Sequence, residues 1–137
     1  KTLRELILLV IVTLLGLGLR WVDLGGESIW LDEAFSLDMG LKDPAGLIRG
    51  EPLDPGNPPG YYVLLHLWLN AFGSSVESGR AFSGFFGTLC IPATWLLARA
   101  AGQSTAVAIL AALLVAVSPP LIYLSREVRV YTLFTLM

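Results

Sequence analysis

The sequence predicts an all-α, polytopic membrane protein: three transmembrane helices, interfacial helices in a long first external loop, and the start of a fourth span. Three observations carry that prediction. Hydrophobic residues make up 55% of the 137 positions and charged ones only 15%, and the mean hydropathy of +0.70 is too high for a soluble domain of this size. The apolar residues are gathered into runs that approach the roughly 20 residues needed to cross a bilayer. The acids are concentrated in one place, with eight of the eleven lying between Asp23 and Asn57. A net charge of −2 lacks the basic footprint of a nucleic-acid binder. The one cysteine, Cys90, excludes an intrachain disulfide.

The first span is expected over residues 3–22, built on the unbroken apolar run from Leu6 to Leu19. Lys1 and Arg4 precede it and an acidic loop follows, which places the N-terminus in the cytoplasm. A cleaved signal peptide is the rival reading, but Arg20-Trp21-Val22-Asp23 lacks the small residues of a cleavage site. Arg20 and Trp21 are expected to anchor the outer end of the helix.

Residues 23–75 form the first external loop. Ser28 can cap a short helix whose Trp30, Ala34, Leu37 and Leu41 share a face turned to lipid or to neighbouring helices. Asp32 and Ser36 fall on another side, towards water or a cavity. Asp43-Pro44 reads as an N-cap followed by proline at the first helical position, opening a turn or two that Gly50 ends. The stiff turn from Pro55 to Gly60 feeds an apolar run from Tyr61 to Phe72 that is too short to span and rich in tyrosine and tryptophan. It is expected to lie in the outer leaflet.

A second span is expected over 76–99 and a third over 104–122, the latter broken near its end by Ser118-Pro119-Pro120. Residues 123–129 form a second external loop, and Val130 opens another apolar helix. If the Tyr61 helix does not cross, Ser125-Arg126-Glu127-Val128-Arg129 emerges on the same side as Asp32-Glu33. If it does cross, the two polar clusters cannot share a site.

Adjacent carboxylates between hydrophobic segments are either solvated at the interface or retained for a task there. His66, at helical spacing among Tyr62, Leu65 and Leu69, reads as a packed or interfacial residue. Arg80 reads either as a helix-end anchor or as a contact for lipid phosphate. Gly79, Gly84 and Gly87 read as close helix packing.

Three blocks taken together resemble the polyprenyl-phosphate-dependent, GT-C class glycosyltransferases, in particular the bacterial relatives of the protein O-mannosyltransferases and the lipid A aminoarabinose transferases. They are Trp30-Leu31-Asp32-Glu33-Ala34-Phe35, the proline-proline-tyrosine block Asn57-Pro58-Pro59-Gly60-Tyr61-Tyr62-Val63-Leu64-Leu65-His66-Leu67-Trp68, and the second-loop block Ser118-Pro119-Pro120-Leu121-Ile122-Tyr123-Leu124-Ser125-Arg126-Glu127-Val128-Arg129-Val130-Tyr131. The resemblance implies that these residues are the N-terminal portion of a longer protein of the bacterial plasma membrane. It implies inverting transfer of a sugar from a polyprenyl-phosphate donor, within the membrane lipid, to an acceptor on the outer face.

In that scheme Asp32 is the base, Glu33 tunes it or binds metal or acceptor, and Glu127 is the second-loop acid completing the site. Two neighbouring carboxylates raise one another's pKa, which helps a base act near neutrality. Arg126 and Arg129 face the donor phosphate. Tyr61, Tyr62 and Asn57 contact substrate, and a divalent metal, if one takes part, would fall to Asp32 and Glu127. Two departures stand out: Asn57 occupies a position where relatives often have His or Lys, and Arg126 one where Gln is common. The competing reading is a non-catalytic membrane subunit or degenerate paralogue that binds a lipid or partner protein.

Overall fold

The computed structural model describes residues 2–49 and 58–137, and all of the regular structure in those residues is helical. α1 (Thr2–Trp21) carries Glu5 in its first turn and Arg20 in its last, the polarity favoured by the helix dipole. Leu3, Leu6, Ile7, Val10, Ile11 and Leu14 all stand exposed along it, a surface that only hydrocarbon would favour. α5 (Val76–Ala100) starts at Ser75, whose Oγ accepts from the Ser78 amide at 3.2 Å. The hydroxyls of Thr88 and Thr94 donate back to the carbonyls of Gly84 and Cys90, each at 2.8 Å, so polar groups on this apolar helix stay satisfied. α1 and α5 are long and apolar enough to cross a membrane.

The third expected span is shorter than anticipated. α6 (Thr105–Val117) stops at Ser118, and a separate short helix, α7 (Pro119–Leu124), follows. The cause is local: proline lacks the N–H that would continue the helix and is well placed at the first position of a new one. α1, α5 and α6 pack together through small residues. Ala108, Ala112 and Ala116 are fully buried, and a Cβ added at Gly16 would overlap the Ile91 side chain.

A second core lies around the first half of α5. Here α4 (Pro59–Phe72) and α8 (Tyr131–Leu136) pack against α5, and α2 (Leu31–Gly40) and α3 (Pro44–Arg49) pack against α4. Leu37, Met39, Leu47, Tyr61, Tyr62, Leu65, Leu69, Phe82, Val128 and Val130 form one buried cluster. α4 has 14 residues, about 21 Å at 1.5 Å per residue and too short to cross hydrocarbon. Its buried face is Tyr61, Tyr62, Leu65 and Leu69, and Gly73 at φ +97° ends it.

Three local expectations change. The N-cap of α2 is Trp30 rather than Ser28, and the Trp30 amide donates to Glu33 Oε2 at 3.3 Å. Its buried residues are Glu33, Ser36, Leu37, Met39 and Gly40, whereas Trp30 and Leu41 are exposed. The expected apolar face thus shares only Leu37 with the face that packs, because the Arg80 guanidinium draws Glu33 inward. Arg20, expected at the interface, is fully buried. α3 begins as anticipated, with Asp43 Oδ1 accepting from the Ala45 amide at 3.2 Å, while its expected stop at Gly50 and the turn from Pro55 to Asn57 lie outside the described residues.

Candidate functional site

Asp32 and Glu33 are neighbours in the first turn of α2, and successive helical side chains point about 100° apart. They meet different surroundings. Glu33 is 1% exposed and faces Arg80 of α5 in a two-pronged ion pair: Arg80 Nε donates to Oε1 at 2.9 Å and Nη2 to Oε2 at 2.8 Å. Oε1 also accepts from the Val128 amide at 3.0 Å. Burial alone would push the Glu33 pKa up, but the bonds from Arg80, Val128 and Trp30 and the arginine charge outweigh it and hold the carboxyl below the ordinary range. Arg80 donates further to the carbonyls of Leu24 at 2.7 Å and Glu27 at 3.0 Å, tying the start of the first loop to α5.

Asp32 is 70% exposed at its side chain, and its Oδ2 lies 3.4 Å from Arg129 Nη1. Arg129 also donates to the Tyr131 hydroxyl at 3.3 Å and sits 5.5 Å from that ring's centroid. Burial would lower the Arg129 pKa; Tyr131 and the Asp32 charge outweigh it, and the guanidinium is held more firmly protonated than usual. Residues 32 and 129 stand 97 positions apart in the chain, and the Glu33–Val128 bond beside them fixes the two segments together.

The space around these groups consists of two adjoining clefts. One, about 190 Å³, is lined by Trp30, Asp32, Glu33, Glu127, Arg129 and Tyr131. The other, about 290 Å³, includes Trp30, Glu33, Tyr123, Arg126 and Glu127 together with the apolar Pro119 and Ile122. Arg126 reaches back to the end of α1, donating from Nη2 to the Leu19 carbonyl at 2.9 Å. The Glu127 carboxylate sits beside the Tyr123 hydroxyl and raises that phenol's pKa, first by hydrogen bonding and then by its charge.

Five of the residues expected at a site thus meet in one region: Asp32, Glu33, Glu127, Arg126 and Arg129. Tyr61 and Tyr62 are 1% and 0% exposed in the core and line neither cleft. Burial pushes the Tyr61 pKa up, as expected for a phenol in packed surroundings. Asn57 lies outside the described residues. Asp32 and Glu127 line one cleft, but among the described residues no three His, Cys, Asp or Glu side chains converge as a metal site would require. His66 is a packing residue, with Nδ1 bonded to the Gly40 carbonyl at 3.0 Å and Nε2 to Asn70 at 2.7 Å.

Sequence reasoning missed the bond between Glu33 and Arg80. The signal was present, since a charged residue one turn into a spanning helix needs a partner, but the partner's identity depends on packing. Tyr123 and Tyr131 carried no signal beyond their place in the second-loop block.

No curated protein and no solved structure matches the chain significantly. Residues 60–133, more than half of the sequence, match the family described as dolichyl-phosphate-mannose-protein mannosyltransferase. The match runs from the start of α4 through the second polar loop to the first residues of α8; the Asp32-Glu33 pair precedes it. With its polytopic helical architecture, the chain belongs to this family of membrane glycosyltransferases, whose donors are sugars linked to polyprenyl phosphate.

Proposed function

We propose that the protein transfers a sugar, with inversion, from a polyprenyl-phosphate carrier to an acceptor hydroxyl at the outer face of a bacterial plasma membrane, with Asp32 as the base. The observation that carries this reading is the approach of Asp32 to Arg129 at 3.4 Å, at a cleft that Glu127 also lines. A base for such a transfer must be within reach of an incoming hydroxyl and near the cations that meet phosphate. Asp32 is the exposed carboxylate of the pair and answers that need.

Glu33 has a different part. Both its oxygens are taken by Arg80, Val128 and Trp30, so it acts as a positioning residue that fixes α2 against the second loop. Glu127, which forms no such pair among the described residues and lies next to Tyr123, would orient the acceptor. If a divalent metal takes part, Asp32 and Glu127 would contribute two of its ligands.

The test is Asp32→Asn in the full-length natural protein, assayed for sugar transfer from a polyprenyl-phosphate donor. Transfer should be abolished while the unfolding temperature in detergent stays within a few degrees of wild type. Full activity in that variant would reject the base assignment.

A further inference from the structure

A groove of about 410 Å³ lies where the end of α1, the end of α4 and the start of α5 border one another. Trp21, Trp68 and Phe72 give it three aromatic rings, Leu24 and Ala81 apolar surface, and Ser75, Glu77 and Ser78 polar groups. It shares no lining residue with the two clefts around Asp32 and Glu127.

The rings are held in place. The Trp68 indole donates to the Ser78 carbonyl at 2.9 Å, and its ring centroid lies 4.4 Å from that of Phe72 and 5.6 Å from that of Phe85. Trp21 lies close over Gly84, where an added Cβ would stand 3.1 Å from the indole nitrogen. Glu77 approaches Gly25 in the same way, at 3.1 Å from Oε1. Trp21 and Phe72 nonetheless remain 44% and 67% exposed.

The charge lining the groove has one sign. Glu77 is exposed and has no ion-pair partner among the described residues, and no lysine or arginine lines the groove. Arg80, about one turn further along α5, is committed to Glu33. The buried Oγ of Ser78 also lacks a hydrogen-bond partner among the described residues, a need that a polar occupant would meet. Aromatic faces beside a carboxylate without its own counter-ion attract an organic cation, whereas a headgroup whose only charge is phosphate is repelled.

Apolar surface continues from the groove along α5. Ala81, Phe85 and Leu89 follow at four-residue spacing and so share a face, and Phe85 and Leu89 are 41% and 36% exposed. A ligand with its charge in the groove can therefore run a hydrocarbon chain down a helix long enough to cross the membrane. A peptide or a free amine would leave that row bare.

We propose that the groove binds the ammonium headgroup of a zwitterionic phospholipid, held against Trp21, Trp68 and Phe72 with Glu77 as counter-charge and an acyl chain along Phe85 and Leu89. The bound lipid bridges the ends of α1, α4 and α5. The site is separate from the transfer chemistry and does not depend on it.

The experiment is native mass spectrometry of the full-length natural protein released from detergent. The probes are phosphatidylethanolamine, phosphatidylglycerol with the same acyl chains, and soluble phosphoethanolamine. Wild type should bind phosphatidylethanolamine about five-fold or more tightly than phosphatidylglycerol, and phosphoethanolamine far more weakly than its diacyl lipid. Glu77→Lys should invert the preference between the two lipids. Phe72→Leu, which keeps apolar contact and removes the ring face, should weaken phosphatidylethanolamine binding about three-fold and leave phosphatidylglycerol unchanged. Both positions are exposed, so the unfolding temperature of each variant should stay within a few degrees of wild type.

Equal affinity of wild type for the two lipids overturns the proposal, as does a preference that Glu77→Lys leaves unchanged or an unaltered affinity in Phe72→Leu. Phosphoethanolamine binding as tightly as the lipid overturns it too, by making the occupant a free or peptide-borne amine. Sugar transfer enters none of these measurements, so the result is distinguishable from the outcome for Asp32→Asn.

Discussion

Arg20 donates to the carbonyl of Ala116 at 2.9 Å, the acceptor that Pro120 cannot serve. In an uninterrupted helix the carbonyls of Val115 and Ala116 would accept from the amides of residues 119 and 120, and both of those residues are prolines. One guanidinium replaces both donors: Nη2 reaches Val115 at 3.0 Å, and Nε reaches Ser125 Oγ at 3.2 Å. Since Arg126 in turn reaches the Leu19 carbonyl, the end of α1 and the second polar loop clasp each other at two successive residues. The helix break between α6 and α7 is thereby stabilised by a side chain almost a hundred residues earlier in the chain.

Arg20→Met should destabilise the protein, since each stranded carbonyl costs about 1–3 kcal/mol in a buried setting. The measurement is the unfolding temperature in detergent. Repeating it in a background with Pro119→Ala and Pro120→Ala, where backbone amides become available, should shrink the loss. An equal loss in both backgrounds would contradict the replacement of proline donors by Arg20.

Glu33 and Arg80 form a pair with both side chains under 5% exposed. Removing one partner should cost about 3–5 kcal/mol, because the other is left charged and buried. Arg80→Met alone should therefore be more destabilising than the double variant Glu33→Leu with Arg80→Met, as read by chemical unfolding. A double variant worse than either single change would argue that the pair acts chiefly through its neighbours at Leu24, Glu27 and Val128.

The same pair sets an acid limit. The folded pKa of Glu33 is lower than its unfolded value, so its contribution is fully present above the unfolded value, about 4.3, and is lost as pH falls through the folded one. Unfolding free energy measured from pH 7 downward should drop more steeply for wild type than for Glu33→Gln below that point. Parallel curves would remove Glu33 as the source.

Glycine substitutions should separate close packing from open surface. A Cβ at Gly87 would overlap the Ser125 hydroxyl and stand 3.3 Å from Arg20 Nε, whereas one at Gly18 meets nothing within 4 Å. Gly87→Ala should cost about 1–3 kcal/mol by overpacking. Gly18→Ala should be neutral or stabilising by up to about 1 kcal/mol, since alanine is the better helix former. Thermal unfolding of the two variants side by side measures the difference.

Helix boundaries show how much could be read without coordinates. Span 3–22 appears as Thr2–Trp21 and span 76–99 as Val76–Ala100, because run length and capping serine are local signals that packing does not override. The convergence of the first and second polar loops was legible too, as a consequence of α4 being too short to cross. Which acid of Asp32-Glu33 would be exposed was not. Adjacent residues on a helix differ only in direction, and direction has no meaning until a partner occupies one side.

The sequence by itself determined the membrane class, the two long apolar helices, the break at Pro119-Pro120 and the blocks that place the chain among glycosyltransferases, since all of these depend on residues close together in the chain. Tertiary structure alone decided that Arg80 neutralises Glu33, that Arg20 turns inward to serve the carbonyls before two prolines, and that Arg126 and Arg129 open onto different clefts. The physical reason is that a buried charge or an orphaned carbonyl must find its partner wherever packing brings one, and that partner can be 47 residues away, as for Glu33 and Arg80, or 96, as for Arg20 and Ala116.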